Sequence, residues 1–329
     1  GSGATTVLAA GIVTADQDIT ISDSVEVAEA AAVALDTGTA GGGNIVITGT
    51  TNGTAGGTAE SLQFITGSGT TTLTGAVGGT TPLALTLQSN NAGNTGAVTF
   101  NGAVSALSLT TFAHGYNVAL NAGGAVTADT NFLNTGSVTF GASTTFTGGL
   151  DTTSGPSGTS VAGTLATTAT QMDLGAVTLT AATTLDSGGG NIAIASLAGG
   201  AQNLTLAAGI AAGTTTVTGN VSNLGTGTGA ALTVNNAVTG LVASQGTVGA
   251  NSGLDAGAAT SLKFAGNVTL ADGNTGTSLA GSVSLDGLTF SGFDGLSFGP
   301  LTLSGAAAVI DSNGSNVDCN PVGTTLNAA

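Results

Sequence analysis

The chain is written in short stretches that alternate apolar and polar residues, among them ITIS, NIVIT, LQFIT, LALTLQS, AVTF, NVAL, SVTF, AVTLT, NIAIAS, LKFA, NVTL, SVSL and LTLS. Each is a few residues long, rich in Val, Ile, Leu, Phe and Thr, and closed off by Gly, Asn, Ser or Asp. Period-two alternation between turn residues is the pattern of β-strands with one buried face. Helical spacing is confined to DSVEVAEAAAVALD, where Asp23 and Glu26 stand as in a capping box. Two internal copies of that stretch, TLTAATTLDS and LTLSGAAAVIDS, look extended, so it is read as a strand or irregular rung and the fold class as all-β.

Repetition narrows the architecture. Val98, Val138, Val177 and Val217 each open a Val-Thr pair at intervals of 40, 39 and 40 residues, with Val118 and Ile194 near two of the midpoints. A unit of about 20 residues is the length of one coil of a β-solenoid. A longer pattern overlies it. LDTGTAGGGNIVIT (from Leu35) returns as LDSGGGNIAIAS (from Leu185), and the stretches that follow return in the same order, including SLTTFAHGYNVAL (from Ser108) as SLKFAGNVTL (from Ser261). The offset is near 150 residues, and IDSNGSNV at Ile310 begins a third copy. This reading divides the chain into an acidic segment at 1–30 (first coils or an assembly strand), a first super-repeat at 31–178, a second at 179–300, and a partial third repeat with the C-terminal tail at 301–329.

Composition agrees with a parallel β-helix of about 20 residues per coil. There are 57 Gly, while 5% of residues are charged, 3% aromatic and 41% hydrophobic. A globule of this length would need large apolar side chains that are scarce here. In a stack of coils about 4.8 Å apart, backbone amides pair along the whole stack and inward side chains lie like on like. Val, Ile, Leu, Ala and Thr are expected to fill a narrow interior without large aromatics. Gly and Asn are expected at corners that need φ > 0, and Thr and Ser on the wet outer face.

TLTGAVGGTTPLALTLQS, the phrase D-[ST]-G-rich-GGN-[IV] and the recurrent G-[AS]-V-T-[FL] resemble the large bacterial surface proteins with β-strand repeats, of the filamentous-haemagglutinin and autotransporter-passenger type. The resemblance covers most of the chain from Asp18. It implies a right-handed parallel β-helix, secretion to the cell surface and a role in adhesion, biofilm or surface fibres. Beginning and end repeat one phrase, so head-to-tail association into an extracellular filament, by end-on stacking or exchange of a terminal strand, is the functional expectation. An adhesin stalk or glycan-binding segment of a giant surface protein is the alternative. The expected partners are further copies of the chain, with glycans or other surface matrix components second.

Charge removes other classes. The formal net charge is −16, from 17 acids against Lys263 alone, which leaves too few cations to grip nucleic acid or an anionic lipid surface. No apolar run approaches the roughly 20 residues of a membrane helix, and ten Phe with one Tyr cannot form two aromatic girdles of a membrane barrel. Asp16, Asp18, Asp23, Glu26, Glu29 and Asp36 gather near the start. They read as a solvated face, with a cation-assisted junction as the sharper alternative. Cys319 cannot form an internal disulfide and reads as a bystander, although it could link chains.

No catalytic set assembles from these residue types. His114 is the single histidine, beside the single Tyr116, and reads as a turn residue. Paired carboxylates for glycoside hydrolysis rarely fall within one coil of each other. Asp36, Asp186 and Asp311, followed by Asn44, Asn191 and Asn316, offer too few oxygens for calcium and read as acceptors for turn amides. The GGG runs lack the lysine of a phosphate cradle. The sequons at Asn203, Asn220 and Asn267 and the Thr tracts 70–72 and 214–216 are too common or too sparse to assign glycosylation or an ice-binding face. The expectation is a protein without enzymatic activity, catalytic residues, cofactor or metal.

Overall fold

The computed structural model describes residues 3–38, 41–56, 60–88, 93–208, 213–235, 240–271, 276–305, 307–319 and 325–326. No helix occurs among them. They form strands paired in parallel, as a β-solenoid with coils of about 21 residues. The acidic stretch that held the one helical pattern is two strands, Ser24–Val27 and Ala32–Asp36. By contact the chain divides into two compact units, Gly1–Ser160 and Val161–Ala329.

In the first unit each coil has three sides. On the first side Thr5–Leu8, Ser24–Val27 and Thr51–Gly53 lie one above another. On the second, Ile12–Val13, Ala32–Asp36, Ser61–Ile65 and Leu83–Leu87 do so. The third carries Ile19–Ile21, Ile45–Ile47, Thr71–Leu73, Ala97–Phe100, Asn117–Leu120 and Ser137–Phe140. The second unit has the same three-sided order, shown on its third side by Met172, Ile192, Thr215, Val242, Leu262 and Val283 in vertical register.

Register settles which sequence periods are structural. Val98, Val118 and Val138 are direct partners, so that spacing is two coils of 20 residues. Val177 and Val217 are not a pair. Val177 lies on the first side against Leu197, whereas Val217 lies on the third against Ile194. The matched phrases at Leu35 and Leu185 hold equivalent places, since Leu35 and Leu185 end second-side strands and Ile45 and Ile192 open third-side ones. The later echo does not align. Ser261–Phe264 occupies the third side, the place of Asn117–Leu120, while Val268–Leu270 occupies the first. The third copy is displaced by one side, with Asp311 ending a first-side strand against Ser291 and Val317 opening a second-side one against Leu296.

The interior departs from the aliphatic ladder expected of it. Phe64, Phe100, Phe132, Phe140, Phe146, Phe264, Phe290 and Phe298 are all buried. Phe132, Phe140 and Phe146 meet edge to face, with ring centroids 5.5–6.0 Å apart, and Phe290 makes the same contact with Phe264 at 5.7 Å and Phe298 at 5.3 Å. Side chains from all three sides converge inside the coil, so three rings brought together fill a cross-section that smaller residues fill elsewhere. In the second unit Ser244 takes an inward place between Val217 and Phe264, and a cavity of about 40 Å³ remains there.

A four-residue corner from third side to first recurs in both units, as from Ile47 to Thr51 and from Val217 to Val221, while the step takes three residues from Ile194 to Leu197 and seven from Leu303 to Ile310. Gly49, Gly75 and Gly102 stack at this corner in the first unit, and Gly219, Gly246 and Gly266 in the second. None of the six has positive φ. Their requirement is room, because a Cβ on Gly75 would overlap the carbonyl of Gly49 and one on Gly102 that of Gly75. We therefore expect Gly75→Ala to lower stability by about 2 kcal/mol, the scale of overpacking. Gly79→Ala, whose Cβ would sit 3.8 Å from that of Ala76, should leave the denaturation midpoint unchanged. Equal midpoints for the two variants would refute the close-approach account.

Candidate functional site

The repeated D-[ST]-G phrase builds a corner out of its own side chains. Asp36 Oδ1 accepts the Gly38 N–H at 2.7 Å, Asp186 Oδ1 that of Gly188 at 2.8 Å, and Asp311 Oδ1 that of Asn313 at 3.0 Å. The next residue closes the turn with its hydroxyl. Thr37 Oγ1 donates to the Gly43 carbonyl at 2.7 Å, Ser187 Oγ to that of Gly190 at 2.6 Å, and Ser312 Oγ to that of Ser315 at 2.7 Å. These aspartates are acceptors for turn amides, as the spacing predicts.

The asparagine that ends the phrase ties one coil to the next. Asn44 Oδ1 accepts both the N–H and the hydroxyl of Thr70, each at 2.9 Å and 26 residues on. Asn191 does the same with Thr214 at 2.9 and 3.2 Å, and Asn117 with Ser137 at 2.8 and 3.0 Å. The sequon asparagines take similar places. Asn203, Asn220 and Asn267 accept the N–H groups of Thr226, Thr247 and Thr289. An outward Asn at the opening of a side is thus an inter-coil clamp.

The other candidates fall apart in space or turn inward. His114 is half-buried in a bend. Its N–H donates to the Phe112 carbonyl at 2.7 Å, and its own carbonyl accepts the Thr135 N–H at 2.8 Å. Tyr116 is fully buried, donates to the Leu87 carbonyl at 3.1 Å and accepts the Phe112 N–H at 2.9 Å. Burial pushes its phenol up to about 12, against the opposing pull of hydrogen bonds from Phe112 and Thr111. The tracts 70–72 and 214–216 are split, because Thr71 and Thr215 are buried. At Cys319 burial pushes the thiol up, and the neighbouring Asp318 charge adds to the shift.

The early acids act singly. Asp16 Oδ1 accepts the Gly41 N–H at 2.8 Å, Asp18 Oδ1 that of Asn44 at 2.7 Å, and Glu26 Oε1 the Thr54 hydroxyl at 3.2 Å. Among the described residues no group of three or more His, Cys, Asp or Glu is placed to hold a metal ion. Glu60 is the acid that sequence reading overlooked. It is fully buried, neither carboxyl oxygen has a hydrogen-bond partner, and it lies beside the space that Gly53 leaves by having no Cβ. The signal was parity, since Glu60, Leu62 and Phe64 alternate on one face just as Tyr116, Val118 and Leu120 do.

The outer surface offers shallow grooves. One of about 350 Å³ is lined by Ser278, Asp294, Ser297, Asn316 and Asp318, with Phe293 next in sequence and 42% exposed. No helix among the described residues is long and apolar enough to cross a membrane. Comparison with protein-family models, with curated proteins and with solved structures found no match.

Two measurements probe this chemistry. With one Tyr and no Trp in the chain, phenolate absorbance reports Tyr116 alone. The folded protein should titrate near pH 12 and the unfolded chain near pH 10. Because the folded value is the higher, Tyr116's contribution to stability is complete below about pH 10 and is lost as pH rises toward the folded value. A folded titration near pH 10 would contradict the buried phenol. Asn191→Ala removes the clamp on Thr214 and should cost about 1 kcal/mol in denaturant unfolding. A cost below a few tenths would mean that water replaces it fully.

Proposed function

We propose that this chain is a structural subunit of an extracellular or cell-surface filament that assembles head to tail through its solenoid ends. The observation that carries the proposal is the parallel stack itself, in which a side such as Ala32–Asp36 is bonded to one coil before it and one after it. The face of any coil in such a stack is a row of N–H and C=O groups that can template another strand. A contact between two unlike ends does not close on itself, and so it propagates. The surface placement rests on the β-strand-repeat resemblance.

A second reading, a glycan-binding segment of a larger adhesin, is favoured by the groove of Asp294, Asn316 and Asp318. Carboxylate and amide oxygens suit paired sugar hydroxyls, and the exposed Phe293 is next in sequence to Asp294.

Electron microscopy and sedimentation of the purified chain over a range of concentration and salt test the filament. Fibres are expected, and they should grow more readily as salt screens the −16 net charge. Monomers alone at the highest concentration in high salt would overturn the proposal, and retention on a glycan array by those monomers would favour the second reading.

A further inference from the structure

We propose that the coil running from Thr51 to Leu73 holds a divalent cation, calcium by the chemistry of its donors, where the enclosed carboxylate of Glu60 meets the outer groove at Gly53. The site is independent of assembly and stands whether or not filaments form.

Buried oxygens without a partner are concentrated in this coil. Among the described residues nine buried side-chain atoms have no hydrogen-bond partner, and four of them belong here: Thr51 Oγ1 on the first side, both carboxyl oxygens of Glu60 just before the second, and Thr71 Oγ1 on the third. The coils before and after carry aliphatic residues at the matching places, Val25 and Val77 against Thr51, and Ile45 and Val98 against Thr71. One polar layer thus interrupts an apolar interior.

The chain has no counter-charge to give Glu60. Lys263 is the single Lys or Arg, and it faces outward in the second unit between Ala243 and Ser284. His114 is held in its own bend by Phe112 and Thr135. An enclosed carboxylate without a partner is costly, and buried charges in proteins are paired or coordinate a metal. A buried polar group that its own chain leaves unsatisfied marks the place of a bound water or ion.

The surroundings of Gly53 supply the approach. Glu60 Oε2 lies 3.3 Å from the point where a Cβ on Gly53 would stand, and the Thr81 methyl group lies 3.2 Å from it. Gly53 and Thr81 also line a groove of about 240 Å³ with Glu26, Asn52 and Thr80, so a residue without a side chain separates the carboxylate from that groove. On the groove side the Thr54 hydroxyl lies 3.2 Å from Glu26 Oε1 and 2.9 Å from the Val27 carbonyl. Val27 pairs with Gly53, so this contact draws Glu26 toward the same end of the strand. Two carboxylates therefore serve one corner, and oxygen donors of this kind suit calcium. Glu60, Glu26 and Thr51 are the side chains assigned to the ion, with water and main-chain carbonyls completing its shell.

The test takes the full chain, strips it with a chelator and titrates it with calcium. Calorimetry should find one saturable site with half-saturation in about the 10⁻⁴–10⁻³ M range of weak oxygen sites, and the thermal midpoint should climb as calcium is added. Glu60→Gln keeps the shape of the side chain and should abolish the climb. Free of metal, that variant should unfold at a midpoint no lower than that of the stripped native chain, because the unpartnered charge is gone. Glu26→Gln should weaken binding about tenfold by removing one ligand charge, and Asp173→Asn, in the second unit, should leave it unchanged. Circular dichroism checks that each variant folds, and if Glu60→Gln does not, Glu26→Gln decides alone. Equal native midpoints with and without calcium overturn the site, as does unchanged affinity in Glu26→Gln. A full response in Glu60→Gln also overturns it, assigning the effect to screening of the −16 net charge.

Discussion

Each side of a coil lies one strand spacing above or below the matching side of its neighbour, and that closeness governs the rest of the molecule. At about 4.8 Å two like charges stacked in register repel strongly, and a Cβ at a tight corner meets the carbonyl of the neighbouring coil. Low charge and abundant glycine are two results of the same spacing. Lys263 lies between Ala243 and Ser284, with no charged residue directly above or below it. The stacked glycines at 49, 75 and 102 lack positive φ and still could not carry a methyl.

Hydrogen bonding lengthwise leaves side chains to secure what the ladders cannot reach, the corners. There the work is divided among three residue types within one phrase: Asp holds an amide two residues on, Ser or Thr holds a carbonyl at the far end of the turn, and Asn reaches to the adjoining coil. All three duties are local and need no ligand. Residues that look like a motif for ion or phosphate chemistry are thereby accounted for within the backbone's own hydrogen bonding.

Strands and coil length were legible because alternation and spacing survive in the letters, as at Val98, Val118 and Val138. Register was less so. Val177 and Val217 stand at the right interval on different sides, because corner lengths vary and a residue count cannot tell a long corner from a long side. The clamps at Asn44 and Asn191 were visible as recurrent letters without a visible partner, since Thr70 and Thr214 lie 26 and 23 residues away. The convergence of Phe132, Phe140 and Phe146 was hidden for a different reason: they come from separate sides and meet only when the coil closes. Glu60 and Tyr116 were readable by parity and were missed because a carboxylate and a phenol are not expected to face inward.

The displaced third copy, with Asp311 and Ser312 turning the corner after a first-side strand where Asp36 with Thr37 and Asp186 with Ser187 turn the one after the second, shows that this pair of side-chain bonds is indifferent to the side it follows. A gene encoding such a chain can gain or lose a stretch that is not a whole number of circuits and still specify a closed path. Lineages of such genes would then drift in phase as well as in length, and homologous positions would wander from one flank to another while the scaffold endures.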